Sequence, residues 1–271
     1  MLVHFGAGVK VASVAAGDHH CLAVTSAGDV HAWGSNSCGQ AGTGGSSSPA
    51  APTNQPACVA GPSSGSSALV AREPMAAVAA GAYHSAALSR SGWLVTWGCG
   101  LLGQTGQGST SNSLQPTPVA ALGGVPLDSL ACGASHTVVA GAGAVYAMGW
   151  AAALGSACNR LTPELLEDAA LADEHVVKVR GPVRSRAPLP PGGVLRLVQC
   201  PWSRSPMQVA CGSRHTIMLA ASGAVLGCGW NGYRQLGRGD SEQAAVGRLS
   251  LPAGCVAKDV HAGSWWTLVA V

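Results

Sequence analysis

One phrase recurs four and a half times along the chain, and this repetition constrains the fold more than any single residue does. Each copy starts with a glycine, two variable residues and a histidine, runs through an apolar stretch and a glycine turn, and ends at another glycine. The glycines and histidines that mark the four full copies are Gly17, His20, Gly34, Gly81, His84, Gly98, Gly133, His136, Gly149, Gly212, His215 and Gly229. A repeat of this kind predicts one structural unit per copy, each packed on its neighbours.

The residue pattern inside a copy is that of an antiparallel hairpin. Small or apolar residues alternate with polar ones in HCLAVTS and HTIMLAA, and a short turn ending in glycine joins each run to the next. Proline-rich tracts at 114–122 and 247–252 suit an outer edge strand, which tolerates a missing backbone donor. Four short strands per copy predict an all-β fold, a β-propeller of four to five four-stranded blades.

The spacing of the copies predicts the domain organisation. Residues 1–271 form one domain, with blades near 12–75, 76–127, 128–158, 207–258 and 259–271. Residues 1–11 are candidates for completing the terminal blade, and 159–206 form either an insertion or a degenerate blade. This blade count is compatible with a small ring, a ring with degenerate blades or an incomplete arc.

The motifs G-x-x-H, W-G and G-Q-L-G together resemble the repeat of the regulator of chromosome condensation superfamily. Trp33-Gly34, Trp97-Gly98 and the stretch from Trp230 to Gly237 carry the resemblance most specifically. It covers most of the chain and is strongest to the small, repeat-domain-containing members. It implies a propeller, usually of seven blades, that binds other proteins.

The resemblance brings three functional readings. The favoured one is a non-enzymatic scaffold for regulatory, including chromatin-associated, protein partners. The alternative is guanine nucleotide exchange on a Ran-type small GTPase, but no hairpin insertion is recognisable as the projecting wedge that such factors use. The least favoured is the plant ultraviolet photoreceptor, which places tryptophan directly after the repeat glycine. This chain has Asp18, Ala82, Ala134, Ser213 and Ser264 there.

Composition narrows the partners and the compartment. A net charge of +3 with 10% charged residues argues against nucleic acid binding. Neither a secretory signal nor an apolar membrane span is recognisable, so we expect an intracellular protein, cytoplasmic, nuclear or both. Cys132 and Cys211 stand where other copies have alanine, which indicates free thiols filling small volumes rather than disulfides.

The recurring histidines invite a metal or catalytic interpretation, which the repeat disfavours. Because each histidine belongs to a different blade, the four side chains are dispersed and do not converge on one ion. We expect them to be structural, with hydrogen bonds that tie strands to loops. The sequence therefore predicts no catalytic residues, no metal and no cofactor.

The segment between the third and fourth copies carries a split charge. Five acids lie between Glu164 and Glu174, and six bases follow between 176 and 206. Thr162 and Pro163 have the residue types of a helix start. The segment is either a solvated excursion or a partner-docking loop. In the second interpretation the binding residues are Lys178, Arg180, Arg184, Arg186 and Trp202.

Overall fold

A computed structural model describes residues 5, 8–43, 52–59, 73–166, 208–220, 222–239 and 242–271. In this part of the chain the backbone forms five antiparallel sheets, four of them with four strands and one with two. Strands that are consecutive in sequence pair with each other throughout, so every sheet is a meander. The predicted all-β propeller architecture with four to five blades is confirmed.

The first two sheets follow the first two copies of the repeat. The strands of the first are β1 (Val11–Ala16), β2 (His20–Thr25), β3 (Val30–Gly34) and β4 (Thr53–Cys58). Those of the second are β5 (Met75–Ala80), β6 (His84–Ser89), β7 (Leu94–Gly98) and β8 (Ser113–Pro118). A single 3-10 turn, Ala120–Leu122, follows β8.

The remaining sheets follow the later copies in the same order. The strands of the third are β9 (Leu127–Cys132), β10 (His136–Gly141), β11 (Ala144–Gly149) and β12 (Arg160–Leu165), with the short helix α1 (Ala151–Leu154) before β12. Those of the fourth are β13 (Gln208–Cys211), β14 (His215–Leu219), β15 (Val225–Trp230) and β16 (Gln243–Arg248). The fifth has β17 (Asp259–Ala262) and β18 (Thr267–Ala270).

The helix predicted to begin at Thr162 and Pro163 is wrong. These residues belong to β12, which pairs with β11 through Tyr146 opposite Leu165 and Ala147 opposite Glu164. Because β12 is the outer strand of its sheet, the missing amide hydrogen of Pro163 breaks no ladder. The third sheet thus extends past residue 158 into the range predicted as an insertion or degenerate blade.

The core lies between neighbouring sheets. The inner strands β1, β5, β9, β13 and β17 pack side by side in that order, and the sheets spread outward from them. Leu22 of the first sheet and Trp97 of the second share one apolar cluster. Met218 and Cys228 of the fourth pack with Val138 of the third in another. The second strands of the second, third and fourth sheets are buried along their whole length, so these three blades are packed on both sides.

Candidate functional site

The repeat histidines link each blade to the next. All four are buried at the start of the second strand of their sheet. Their Nε2 atoms lie within hydrogen-bond distance of a hydroxyl on the following sheet. The pairs are His20 with Ser85 at 2.7 Å, His84 with Thr137 at 2.9 Å, His136 with Thr216 at 3.1 Å and His215 with Thr267 at 3.2 Å. We call this series the histidine ladder.

The hydroxyls of the histidine ladder settle the direction of its hydrogen bonds. The hydroxyl of Ser85 donates to the carbonyl of Gln40 at 2.7 Å, and that of Thr137 donates to the carbonyl of Gln104 at 2.8 Å. A hydroxyl has one hydrogen, so these oxygens accept from the histidine Nε2–H. His20 and His84 therefore carry a hydrogen on Nε2, and so does His136, whose partner Thr216 donates to the carbonyl of Ala153 at 3.2 Å. Each of these three links joins three segments of the chain.

Burial keeps these imidazoles uncharged. It lowers the pKa of His20 and His215 to about 4 and that of His84 and His136 to about 3. Neighbouring imidazoles lower the pKa of His84 further. No cluster of three metal-binding side chains occurs within the described ranges. A dispersed set of neutral, hydrogen-bonded rings fits a structural role for these residues.

The repeat glycines make room for the ladder. A Cβ on Gly81 would lie 2.3 Å from Cε1 of His84, so the imidazole packs directly on the glycine backbone. The closing glycines stand opposite the histidines across the hairpin, as in the pairing of His84 with Gly98. Gly98 has φ of +97°, and a Cβ there would lie 2.6 Å from the carbonyl oxygen of Tyr83. The spacing of the motif G-x-x-H…G thus places glycine at the two positions where a side chain would collide with the histidine or the neighbouring backbone.

The loops around the histidines form one face of the molecule, which we call the loop face. It comprises two sets of loops: the G-x-x-H loops, which join the first strand of each sheet to the second, and the loops that follow the third strand. In an antiparallel sheet these two sets lie at the same end. Directly at the inner strands, the G-x-x-H loops surround a pocket of about 190 Å³. Its wall consists of small residues, including Ala82, Ala134, Ser213 and Ser264, with Asp18 at the first blade.

Backbone hydrogen bonds hold these loops together around the pocket. The amide of Ala82 donates to the carbonyl of Ala134 at 3.1 Å, and the amide of Ala134 donates to that of Ser213 at 3.3 Å. The amide of Ser213 donates in turn to the carbonyl of Ser264 at 3.3 Å. The loop face is therefore a connected surface, with its geometry fixed below by the histidine ladder and at the centre by this backbone chain.

The loop face carries an aromatic cluster around an arginine. Arg214, from the G-x-x-H loop of the fourth sheet, lies 5.3 Å from the ring centre of Trp150 and 5.6 Å from that of Trp265. Trp230 contacts Tyr233 edge-to-face at 4.9 Å and Trp265 at 5.4 Å. We call these five residues the aromatic cluster. It draws on three consecutive blades.

Much of the aromatic cluster is exposed to solvent. Tyr233 is 70% exposed, Trp265 is 43% exposed, and Arg214 is also exposed. A smaller aromatic pair lies elsewhere on the loop face, where the rings of His19 and Tyr83 are 4.8 Å apart. Trp, Tyr and Arg are the side chains that contribute most to protein–protein interfaces. The loop face thus exposes side chains of the types found in such interfaces.

The binding residues predicted from the sequence belong to a different part of the chain from the aromatic cluster. Lys178, Arg180, Arg184, Arg186 and Trp202 lie outside the described residues, so their role stays a prediction. Sequence reasoning missed the aromatic cluster altogether. The available signal was the identity of the variable residues, because Arg214 and Trp265 occupy the same position of the repeat, two residues after its first glycine.

Fold and site together define a β-propeller protein whose blades are joined by a histidine ladder and whose loop face exposes an aromatic cluster. Sequence profiles of the regulator of chromosome condensation (RCC1) repeat match residues 11–40, 75–104 and 208–235, and also 27–88 and 91–140. These matches cover more than half of the chain. The protein belongs to the RCC1 repeat family.

Two relatives show how far the similarity extends. The Ultraviolet-B receptor UVR8 of Arabidopsis thaliana is 33% identical over 261 residues, which is 86% of this chain and 56% of that protein. The human RCC1 domain-containing protein 1 is 32% identical over 177 residues, 59% of this chain and 46% of that protein. The chain thus spans about half the length of the curated relatives it matches.

Solved structures show the same fold. Human WBSCR16 superposes with a TM-score of 0.73 at 22% identity, covering 99% of this chain and 60% of that one. Prp20p of Saccharomyces cerevisiae superposes with a TM-score of 0.66 at 18% identity, covering 98% and 57%. Within the described residues, the helices are all too short to cross a bilayer.

Proposed function

We propose that this protein is a non-enzymatic scaffold that binds an intracellular protein partner through the loop face. The observation that carries the proposal is the aromatic cluster, in which exposed Tyr233 and Trp265 adjoin Arg214. Such residues supply most of the binding energy in protein interfaces when a partner excludes water from them. A rigid support lowers the entropy lost on binding, and the histidine ladder provides one.

The family relationship supports a protein partner without identifying it. The structure of Prp20p was reported together with its binding to Gsp1p and histones. A small GTPase and a chromatin regulator are therefore the two partner classes we propose to test first. Guanine nucleotide exchange remains the alternative activity, although no contact among the described residues of the loop face favours it specifically.

Photoreception is not part of the proposal, despite the similarity to the Ultraviolet-B receptor UVR8. The resemblance implies indoles directly after the repeat glycines. Here those positions hold the small side chains that border the central pocket, such as Ala82 and Ser213. The tryptophans of the aromatic cluster occupy different positions of the repeat.

The test compares a loop-face variant with a matched control as bait in quantitative affinity purification. The variant combines Tyr233→Ala and Trp265→Ala. The control is Arg90→Ala, which removes an exposed side chain at the opposite end of β6 from the loop face. We expect partners retained by the wild type and the control to be lost from the variant, with all three proteins equally folded by circular dichroism.

Two results would contradict the proposal. Equal recovery of every partner by the loop-face variant would place binding elsewhere. Accelerated release of fluorescent GDP from a purified small GTPase, at catalytic amounts of this protein, would establish exchange activity and replace the scaffold interpretation.

A further inference from the structure

We propose that Arg214 binds the carboxylate of an aspartate or glutamate side chain on the partner protein, with an adjacent apolar partner residue packed on Tyr233 and Trp265. This inference rests on the proposed function, since it specifies the chemistry of the partner at the loop face. It makes Arg214 the specificity-determining residue of the aromatic cluster.

The first argument is the unpaired guanidinium. Within the part of the chain that the structure describes, the contacts of the Arg214 side chain are the two indole rings, with neither an ion pair nor a side-chain hydrogen bond. Two other arginines of the described residues have an acceptor. Arg90 donates to the carbonyl of Ser26 at 2.7 Å, and Arg160 contacts Glu164 at 3.4 Å. Arg214 therefore keeps its donors available for an external acceptor.

The second argument is orientation. Trp150 belongs to the third blade and Trp265 to the fifth, so the guanidinium of Arg214 lies near indoles from both neighbouring blades. A cation–π contact engages the charge of the guanidinium and does not use its N–H groups as hydrogen-bond donors to a paired acceptor. Those groups match the two oxygens of a carboxylate. The indoles hold the arginine ready before the partner arrives.

The third argument concerns the charge of the ligand. One guanidinium stands between the rings, and the carboxylate of Glu242 accepts from Trp230 Nε1 at 3.1 Å at the edge of the same cluster. A phosphorylated segment or a nucleic acid is usually bound by several bases together. In this cluster the acid, Glu242, is already hydrogen-bonded, and the arginine, Arg214, has no ion pair among the described residues. One such arginine is suited to binding a single carboxylate.

The fourth argument is the apolar surface beside the arginine. Tyr233 and Trp265 lie 6.0 Å apart with their rings nearly perpendicular, and both are exposed. Burying these rings under an apolar side chain would remove water from the charge pair, which strengthens the pair. The recognised segment therefore combines an acidic residue with an aliphatic or aromatic neighbour.

The experiment uses the full chain and a phage-displayed random dodecapeptide library as the probe. Selected peptides are synthesised with a fluorophore, and their affinities are measured by anisotropy. We expect enrichment of Asp or Glu next to Leu, Ile, Phe or Trp. Replacing that acid by its amide in the peptide, or Arg214→Ala in the protein, should each weaken binding about tenfold or more.

A double-mutant cycle identifies the pair directly. If Arg214 contacts the peptide carboxylate, the amide peptide should lose little further affinity for the Arg214→Ala protein. Arg214→Lys should also weaken binding, because lysine keeps the charge but lacks the planar fork. Arg90→Ala, a change of one exposed arginine away from the loop face, should bind like the wild type.

The outcomes separate this inference from the proposed function. Peptides that are sensitive to Trp265→Ala but indifferent to Arg214→Ala and to the amide substitution would overturn the carboxylate assignment and leave the loop face as a binding surface. Peptides insensitive to Trp265→Ala and Tyr233→Ala, or a library without binders, would overturn both.

Discussion

His136 Nε2 donates to the hydroxyl of Thr216 at 3.1 Å, and this bond joins the third blade to the fourth. Both side chains are fully buried. The same hydroxyl donates to the carbonyl oxygen of Ala153 at 3.2 Å. One threonine hydroxyl thus pairs with the imidazole of His136 and with a backbone carbonyl of α1, both in the preceding blade. Rigidity of the loop face thus originates in bonds between blades, beneath the exposed residues of the aromatic cluster.

Removing this hydroxyl should destabilise the protein far more than its size suggests. Thr216→Val keeps the shape but leaves the Nε2–H of His136 and the carbonyl of Ala153 buried without a partner. We expect a loss of about 1–3 kcal/mol in the free energy of unfolding. Urea denaturation measures it, and Thr162→Val, at an exposed position on β12, is the control. Equal midpoints for the two variants would contradict the role of the histidine ladder.

Acidification should destabilise the fold in a defined window. The pKa of the four ladder histidines lies at about 3 to 4 in the folded protein, below the ordinary value of 6.5. Below pH 6.5 the unfolded chain binds protons that the folded chain does not, so stability is present above that pH and falls towards pH 4. Each histidine contributes a slope of about 1.4 kcal/mol per pH unit.

Urea midpoints between pH 7.5 and 4.5 measure this slope, and a ladder variant tests its origin. His84→Gln lowers the stability at neutral pH but removes one titrating group. Its unfolding free energy should therefore depend less steeply on pH than that of the wild type. Parallel pH curves for the two proteins would assign the acid sensitivity to other groups.

The repeat explains how much of this architecture the sequence predicts. The glycines that contact histidines, such as Gly81 and Gly133, and those with positive φ, such as Gly98, are required by local geometry, so their spacing marks strands and turns. The outer strand β12 was misassigned because Thr162 and Pro163 suit both a helix start and an edge strand. Only the pairing with β11 distinguishes the two.

The aromatic cluster could not be predicted in the same way. Trp150, Arg214 and Trp265 lie in three blades, and their contacts depend on how far each blade is rotated against the next. That rotation is a property of packing between sheets, for which the repeat motif carries no signal. The variable positions of the repeat are nevertheless where binding residues are expected, because the fold does not require a particular side chain there.

Cysteine reactivity should follow burial. The nine described cysteines are free thiols. Cys58 and Cys158 are exposed, whereas Cys99 and Cys228 are buried, and burial raises the pKa of Cys99. Because the thiolate is the reactive form, iodoacetamide at pH 8 should modify the exposed pair rapidly and the buried pair only after denaturation. Peptide mass spectrometry measures the rates, and similar rates at Cys58 and Cys228 would contradict the packing described.

The repeat glycine of the third blade should be among the least replaceable residues of the chain. In Gly133→Ala the new Cβ would lie 2.0 Å from Cε1 of His136 and 2.5 Å from the carbonyl oxygen of Gly212. Neither the buried ring nor the backbone of the next blade has room to move, so we expect a loss on the order of 3 kcal/mol or more. Gly239→Ala, where a Cβ meets nothing within 4 Å, is the matched control and should change stability by less than about 0.5 kcal/mol. Chemical denaturation of both variants decides the point, because a Gly133→Ala protein as stable as the control would mean that the imidazole does not pack on the glycine.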